Sequence, residues 1–315
     1  MDFETSSRRR PDVIAVHSVN RLVFSVPSLD EAEHFYRAFG LDVRSCGGRL
    51  DLHTEGHPHC WASVFASGAS KRLEYVSFGI YSEDEEPLRK RIAEKGLQCD
   101  PHPLAAPGGI WLLNPDGTPW QLVVAPKVSP NSKTVATQRQ PVPAGTGAAP
   151  SRSRAPQVRP RALSHALFFT PDVRRMSQFC IDVLGLRLSD ESAGIIAFLH
   201  GAHGSDHHLV AFAHSHAAGL HHSSWDVGSI DEVGGGAEQM RQAGYMLGWG
   251  LGRHVLGSNY FHYVRDPWGS FSEYSFDIDY IDAETNWPSS DHPPQDSLYV
   301  WGPTVPEDFI TNHEQ

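Results

Sequence analysis

The sequence predicts an α+β protein of four βαβββ modules, paired into two cupped, barrel-like domains. Three observations predict it. The two halves of the chain align with each other, each half repeats one order of strand and helix signals, and a stretch poor in large apolar residues separates them. The separator, 127–160, holds no Phe, Leu, Ile, Trp or Tyr, cannot bury enough apolar surface to offset ordering, and is expected to be a flexible linker. It divides an N-terminal domain, 13–126, from a C-terminal domain, 161–280. Residues 1–12, polar and basic, are expected to be a disordered tail, and 281–315 a C-terminal tail able to act as a lid.

In the first half, residues 21–26 read as a strand. Ser28 and Glu31 form an S-x-x-E capping box for a helix reaching about Phe39. Short strand patterns follow at 49–53 and 60–66. The second module opens with a strand at 73–80, then a helix at about 84–95 and strands near 109–113 and 120–125. The second half repeats the order: strand 163–169, helix 173–183, strands near 194–199 and 207–213. Then come strand 220–227, helix 231–243 and strands near 247–251, 259–265 and 271–276. Placing Pro27 on Pro171 brings Phe24 onto Phe168 and Phe35 onto Phe179. A one-residue shift brings Gly40-Leu41 onto Gly185-Leu186. LEYVSFGI (73–80) falls on LHHSSWDV (220–227), and LLNPDG (112–117) on VRDPWG (264–269).

Composition narrows the function. Among 315 residues, 26 Lys and Arg face 37 Asp and Glu, a net charge of −11 that argues against a nucleic-acid surface. No run of about 18 apolar residues offers a membrane span. The basic start has no apolar stretch behind it, and Cys46, Cys60, Cys99 and Cys180 show no framework spacing, so a reduced, cytoplasmic protein is expected. Eight of the 19 histidines lie between His200 and His222, which points to the second half.

That half offers His165 on its first strand, the pair His221-His222 on its fifth and Glu273 on its last. Two imidazoles and a carboxylate from three strands make a 2-His-1-carboxylate triad, which leaves one face of a metal open and suits non-haem Fe(II). Neighbours on a strand point to opposite faces. Val76, Phe78 and Ile80 form the apolar face of the matching strand, so parity selects His222, on the Tyr75 face, and puts His221 with the packing set. Glu273 follows by elimination as the only carboxylate of its strand before Asp277. The first half has Arg21, Tyr75 and Gln121 at the three positions, so it is read as a degenerate, non-metal scaffold. His53, His57, His59 and Cys60 in HTEGHPHC suggest zinc at first sight, but they lie in a turn of that scaffold half and are not read as a site.

The stretch GRHVLGSNYFHYVRDPWGSFSE (252–273) resembles the signature of type I extradiol ring-cleaving (catechol 2,3-) dioxygenases of the vicinal oxygen chelate superfamily. Gly252, His254, Tyr263, Asp266, Pro267, Gly269 and Glu273 fit it; His262 departs, standing where an apolar residue is usual. LSHALFFTPD and GLHHSSWDV resemble the two histidine-ligand strands. DHHLVAF resembles the segment bearing a catalytic histidine, which counting back from Phe212 places at His208. The resemblance spans about 13–280. It implies Fe(II), or Mn(II) in the same donors, and a substituted catechol and O2 as substrates in aromatic catabolism. It further implies His208 as acid/base, His254 and Tyr263 as partners of the substrate oxygens, and a homo-oligomer. The alternatives are another metalloenzyme of the superfamily, a glyoxalase-like isomerase or transferase, and a metal-free protein binding a small aromatic. An inward His and Glu left unpaired would be costly in that last case.

Overall fold

The computed structural model describes residues 9–138 and 141–314. The first half runs β1 (Val16–Val26), α1 (Leu29–Phe39), β2 (Asp42–Cys46), β3 (Arg49–His53), β4 (Ala62–Ala66), β5 (Arg72–Ile80), α2 (Ser82–Glu94), β6 (Ile110–Leu113) and β7 (Pro119–Val124). The second runs β8 (Ala162–Thr170), α3 (Val173–Phe179), β9 (Arg187–Ser192), β10 (Ile196–His200), β11 (Ser205–Asp206), β12 (Val210–His214), β13 (Gly219–Asp226), α4 (Ile230–Gln242), β14 (Gly248–His254), β15 (Tyr260–Arg265) and β16 (Phe271–Phe276). β17 (Tyr280–Ile281), α5 (Pro294–Ser297) and β18 (Tyr299–Trp301) follow.

Each half builds one mixed, curled sheet on the same plan. The first has the order β2-β3-β4-β1-β5-β7-β6, the second β18-β14-β15-β16-β13-β8-β12-β10-β9. The central pair is antiparallel in each half (β1 with β5, β8 with β13), and a parallel neighbour flanks it on either side. The second module of the first half lacks a counterpart of β14, reduced to a single bridge between Gln98 and Leu112. Pro101, Pro103 and Pro107 crowd that stretch, and proline has no N–H for a ladder.

The capping signals work as the sequence suggests. Ser28 accepts from the N–H of Glu31, and Gly40, at φ 99°, ends α1. In the second half Asp172 caps α3, which widens into a π-type turn over Cys180–Leu184 and ends at Gly185, φ 73°. These two glycines serve the pairing of the halves. A Cβ on Gly40 would meet the Val158 carbonyl, where the chain enters the second half. One on Gly185 would meet the Ile14 carbonyl, where it enters the first.

Strands without an alternating pattern escaped sequence reading. β2 (DVRSC) and β9 (RLSDES) are polar, and β2 is largely exposed. β1 starts five residues before the expected position 21, because Val16 and Val19 pair with Ile80 and Phe78. One apolar core runs through both halves. Phe39 stacks on Tyr274 with centroids 4.0 Å apart, and the Tyr274 hydroxyl donates to the Phe39 carbonyl at 2.8 Å. A buried ion pair, Lys71 with Asp266, ties the halves further.

Of the tail expected over 1–12, residues 1–8 lie outside the described residues; Arg9 pairs with buried Asp84, and the Arg10 N–H donates to His203 Nδ1 at 3.1 Å. In the 127–160 segment the Thr137 N–H donates to the Gly228 carbonyl at 2.7 Å and Val158 joins the core. Its one helical turn among the described residues is Arg152–Arg154. Among the described residues no helix is long and apolar enough to cross a membrane.

Candidate metal centre

Strand register, rather than chain proximity, assembles the site. Tyr263 on β15 faces Glu273 on β16, Glu273 faces Ser224 on β13, and Ser224 faces His165 on β8. Directly opposed residues share a face, so these four side chains form a row across the sheet. His222 lies two residues from Ser224, on the same face.

The donor atoms of His165, His222 and Glu273 all lie within 4.8 Å of one another, and all three residues are buried. Among the described residues this is the one group of His, Cys, Asp or Glu that converges in this way. His165 Nε2 is 3.3 Å and His222 Nε2 3.5 Å from Glu273 Oε2. Neither His222 Nε2 nor Glu273 Oε2 has a hydrogen-bond partner. Two lone pairs and a carboxylate oxygen, buried and aimed together, are costly unless a cation completes them. The donor set therefore fits a divalent metal.

Outer contacts settle which imidazole nitrogens are bare. Ser164 Oγ donates to Asp206 at 2.8 Å, so it accepts from His165 Nδ1–H at 3.2 Å and leaves His165 Nε2 unprotonated. His221 Nε2 lies 2.8 Å from the Phe309 carbonyl, which only accepts. His221 Nδ1 is then an acceptor for His222 Nδ1–H at 2.7 Å, and His222 Nε2 is bare. Asn259 donates to Glu273 Oε1 at 3.2 Å. Burial opposes charge on Glu273, but the contacts with His165 and His254 outweigh it and hold its carboxyl below the ordinary range. Burial pushes both His222 and His208 well below the usual imidazole value.

A cavity of about 430 Å³ opens over the triad and is bordered by His208, His254 and Tyr263. The His254 Nδ1–H is held by the Leu298 carbonyl at 2.8 Å, so its Nε2 accepts from the Tyr263 hydroxyl at 2.9 Å. The His208 ring packs against His165, centroids 4.0 Å apart. Five of the six residues singled out in the sequence thus border one cavity, and Glu273 lies behind them against His165 and His222.

Two details correct the sequence reading. His221 is not packed away from the site but borders the cavity beside His222. A β-bulge makes His221 the extra residue between Leu220 and His222, and a bulge breaks the alternation on which parity rests. His262, which departs from the signature, pairs with Tyr274 in the row next to Tyr263 and does not border the cavity. The histidines of 53–60 do not converge: His59 Nε2 is engaged by the Asn20 carbonyl at 2.7 Å. Sequence reading missed Asn259; it expected the 281–315 tail as a lid but not which of its residues, Leu298, Phe309 and Ile310 among them, border the cavity.

A two-half curled-sheet fold with an open His-His-Glu centre defines a class. The model of the Glyoxalase/Bleomycin resistance protein/Dioxygenase superfamily matches residues 162–274. The chain is 49% identical over 302 residues to metapyrocatechase 2 of Cupriavidus necator, covering 95% of this chain and 93% of that one. It belongs to the metapyrocatechase family, the extradiol ring-cleaving dioxygenases of the vicinal oxygen chelate superfamily. The Mn(II)-bound glyoxalase of Novosphingobium aromaticivorans shares the fold at TM-score 0.75 and 23% identity, over 95% of this chain and 96% of that one. The 2,2',3-trihydroxybiphenyl 1,2-dioxygenase of Sphingomonas wittichii RW1 does so at 0.71 and 19%, over 93% and 100%. Because one fold carries both chemistries, the reaction must be argued from the site.

Proposed function

We propose that this protein is an extradiol dioxygenase of aromatic catabolism. It opens the ring of a substituted catechol beside the two hydroxyls and places both atoms of O2 in the ring-opened product. Its centre is a mononuclear non-haem Fe(II) held by His165, His222 and Glu273, a donor set that also accepts Mn(II). The observation that supports this most is the convergence of bare His222 Nε2 and Glu273 Oε2 on His165 beneath the cavity.

Bound there, a redox-capable divalent ion supplies open coordination positions and an electronic path between an electron-rich ring and O2. The chain supplies the rest. Tyr263 and His254 hydrogen-bond and orient the substrate oxygens, and His254 Nε2 can hold a hydroxyl proton. His208 is the acid/base: its Nδ1 faces His207, which leaves Nε2 to give or take a proton in the cavity. The 281–315 segment brings Leu298, Phe309 and Ile310 over the cavity and keeps water from the reacting oxygen.

The lining also selects the ring substituent. Leu167, Ile196, Phe198 and Leu256 dominate it, Glu307 adds a negative charge, and among the described residues no Lys or Arg borders it. An uncharged, apolar substituent is accommodated and a carboxylate is not. The enzyme is read as a cytoplasmic homo-oligomer, its subunit number being measurable by light scattering.

The test is to purify the protein anaerobically, load Fe(II) and follow O2 uptake and visible absorbance with a panel of catechols. Methyl- and chlorocatechols should be opened. Carboxylated catechols should show kcat/KM lower by about 100-fold or more, the order expected when a charge is left unpaired. No O2 uptake with any catechol would overturn the assignment.

A further inference from the structure

Behind His208 a hydrogen-bond chain runs outward and ends on the C-terminal segment. His207 Nδ1 lies 3.1 Å from His208 Nδ1, and His207 Nε2 lies 2.9 Å from Asp190 Oδ2. Asp190, on β9, takes three more hydrogen bonds: Trp287 Nε1 at 3.2 Å, the Ser290 N–H at 3.0 Å and His292 Nε2 at 3.0 Å. All three come from residues 287–292. The Trp287 indole also meets the His207 ring edge-on, centroids 5.4 Å apart. Asp190 and His207 are both buried.

Donor counting fixes the protons along this chain. Burial works against charge on Asp190, yet the hydrogen bonds from His207, His292 and Ser290 outweigh it and hold the carboxyl below its ordinary range. A carboxylate only accepts, so His207 Nε2 is a donor. A neutral His207 then offers Nδ1 as an acceptor, and His208 must donate from its own Nδ1. The nitrogen of His208 left unprotonated is Nε2, on a ring that borders the cavity. The equivalent chain is missing from the first half. There His59 Nε2 is engaged by the Asn20 carbonyl, and Cys60 follows it.

We propose that Asp190 and His207 are positioning residues, which set the tautomer and orientation of His208, and that segment 287–292 completes the device by filling the other acceptor sites of Asp190. The proposal rests on the reading of His208 as the acid/base. Neither residue touches substrate; both act through His208. An Asn at position 190 whose Oδ1 stays with the Ser290 N–H and His292 puts its amide N–H2 in place of Oδ2, where it donates to His207 Nε2 and leaves Trp287 Nε1 without its acceptor. That reverses the donor order, and His208 then carries its proton on Nε2.

The test has two readouts. In metal-free protein labelled with [15N]histidine, imidazole shifts should show His208 protonated at Nδ1 in the wild type and at Nε2 in Asp190→Asn. A wild-type His208 protonated at Nε2 would overturn the proposal. In the iron-loaded enzyme Asp190→Asn should lower kcat by roughly 10–100-fold, the usual size of an outer-contact effect, with bound iron and catechol KM unchanged. In a His208→Phe background the same change should have no further effect. An equal loss in both backgrounds, or none in either, would overturn the proposal, since a merely structural role is blind to residue 208. If Asp190→Asn shows no cooperative melting, His207→Phe, which leaves Asp190 its three other donors, takes its place: His208 then loses its Nδ1 partner and should show a mixture of both tautomers, with the same kinetic expectations. A wild type that cleaves no catechol would defeat the functional reading, while the tautomer measurement would still decide this one.

Discussion

The two halves share a backbone plan down to its irregularities and differ in what that plan holds. In the second half the row Tyr263, Glu273, Ser224, His165 crosses the sheet; in the first, the same register lines up Trp111, Gln121, Ser77 and Arg21. The extra residue of one bulge is His221 in one half and Glu74 in the other, and that of a second bulge is Ser164 and Asn20. Tyr75 takes the place of His222, and Cys60 that of His208. Where the second half keeps a cavity, the first fills it: Tyr75 packs on Trp111, Arg21 bonds the Cys60 carbonyl, and Gln121 bonds the Gly108 carbonyl. A strand scaffold of this kind places side chains without regard to their chemistry, so a few substitutions separate a metal centre from a packed core.

The largest expected contrast lies at the carboxylate. Glu273→Gln should remove bound iron and ring cleavage together, with turnover down by roughly 10³-fold or more, as the loss of a buried charged donor implies. Gln121→Glu, its mirror image, should bind no second equivalent, because Arg21 and Tyr75 supply no donor lone pairs of the right kind. Metal content by atomic emission decides both. Next, His208→Phe should keep its iron and turn over roughly 10²–10⁴-fold more slowly. Cys60→Ser, at the equivalent position, should leave kcat untouched. If both variants behave alike, the halves are not functionally distinct.

Stability should show an alkaline and an acid limb, measured as melting temperature on the metal-free protein. Burial pushes Asp206 up to about 7 from 3.8. The folded state holds that proton longer than the unfolded chain, so its contribution is full below about pH 4 and is lost as pH rises through 7. His17, in the first half, is pushed by burial down to about 3 from 6.5. The unfolded chain takes up that proton first, so this stability is present above pH 6.5 and is lost as pH falls toward 3. Asp206→Asn should soften the alkaline limb, part of which remains because burial also raises Asp226, to about 6. His17→Gln should soften the acid limb, part of which remains because His200 is also held at about 3. Unchanged limbs would mean that neither group stays buried as described. The smallest effects belong to the glycines joining the halves. Gly40→Ala and Gly185→Ala should each cost about 1–3 kcal/mol in urea denaturation, from positive φ and a carbonyl in the path of the new Cβ. Equal costs would support a symmetric junction.

Much of this was legible beforehand where residues act locally. The Ser28 cap and the strands of 73–80 and 220–227 follow from short-range patterns, and internal alignment exposed His165, His222 and Glu273 by their absence from the first half. The edge strands β2 and β9 carry no apolar alternation, β2 because most of it is exposed and β9 because its buried residues Ser189, Asp190 and Ser192 are polar and satisfied by hydrogen bonds, so they stayed hidden. The role of His221 was misjudged for a related reason. Parity assumes an unbroken ladder, and the bulge is a property of pairing with β8 rather than of the strand alone.

What the amino-acid order determined by itself was the twofold repeat, the presence of a His-His-Glu set in one copy only, and the family to which the signature around 252–273 belongs. Tertiary structure alone decided which nitrogens of His165 and His222 are bare, that Asp190 and His207 stand behind His208, and which residues between 294 and 310 wall the cavity. These contacts join positions up to about a hundred residues apart, as with Asp190 and His292 or His221 and Phe309. A hydrogen bond depends on geometry within a few tenths of an ångström, which no spacing along the chain encodes.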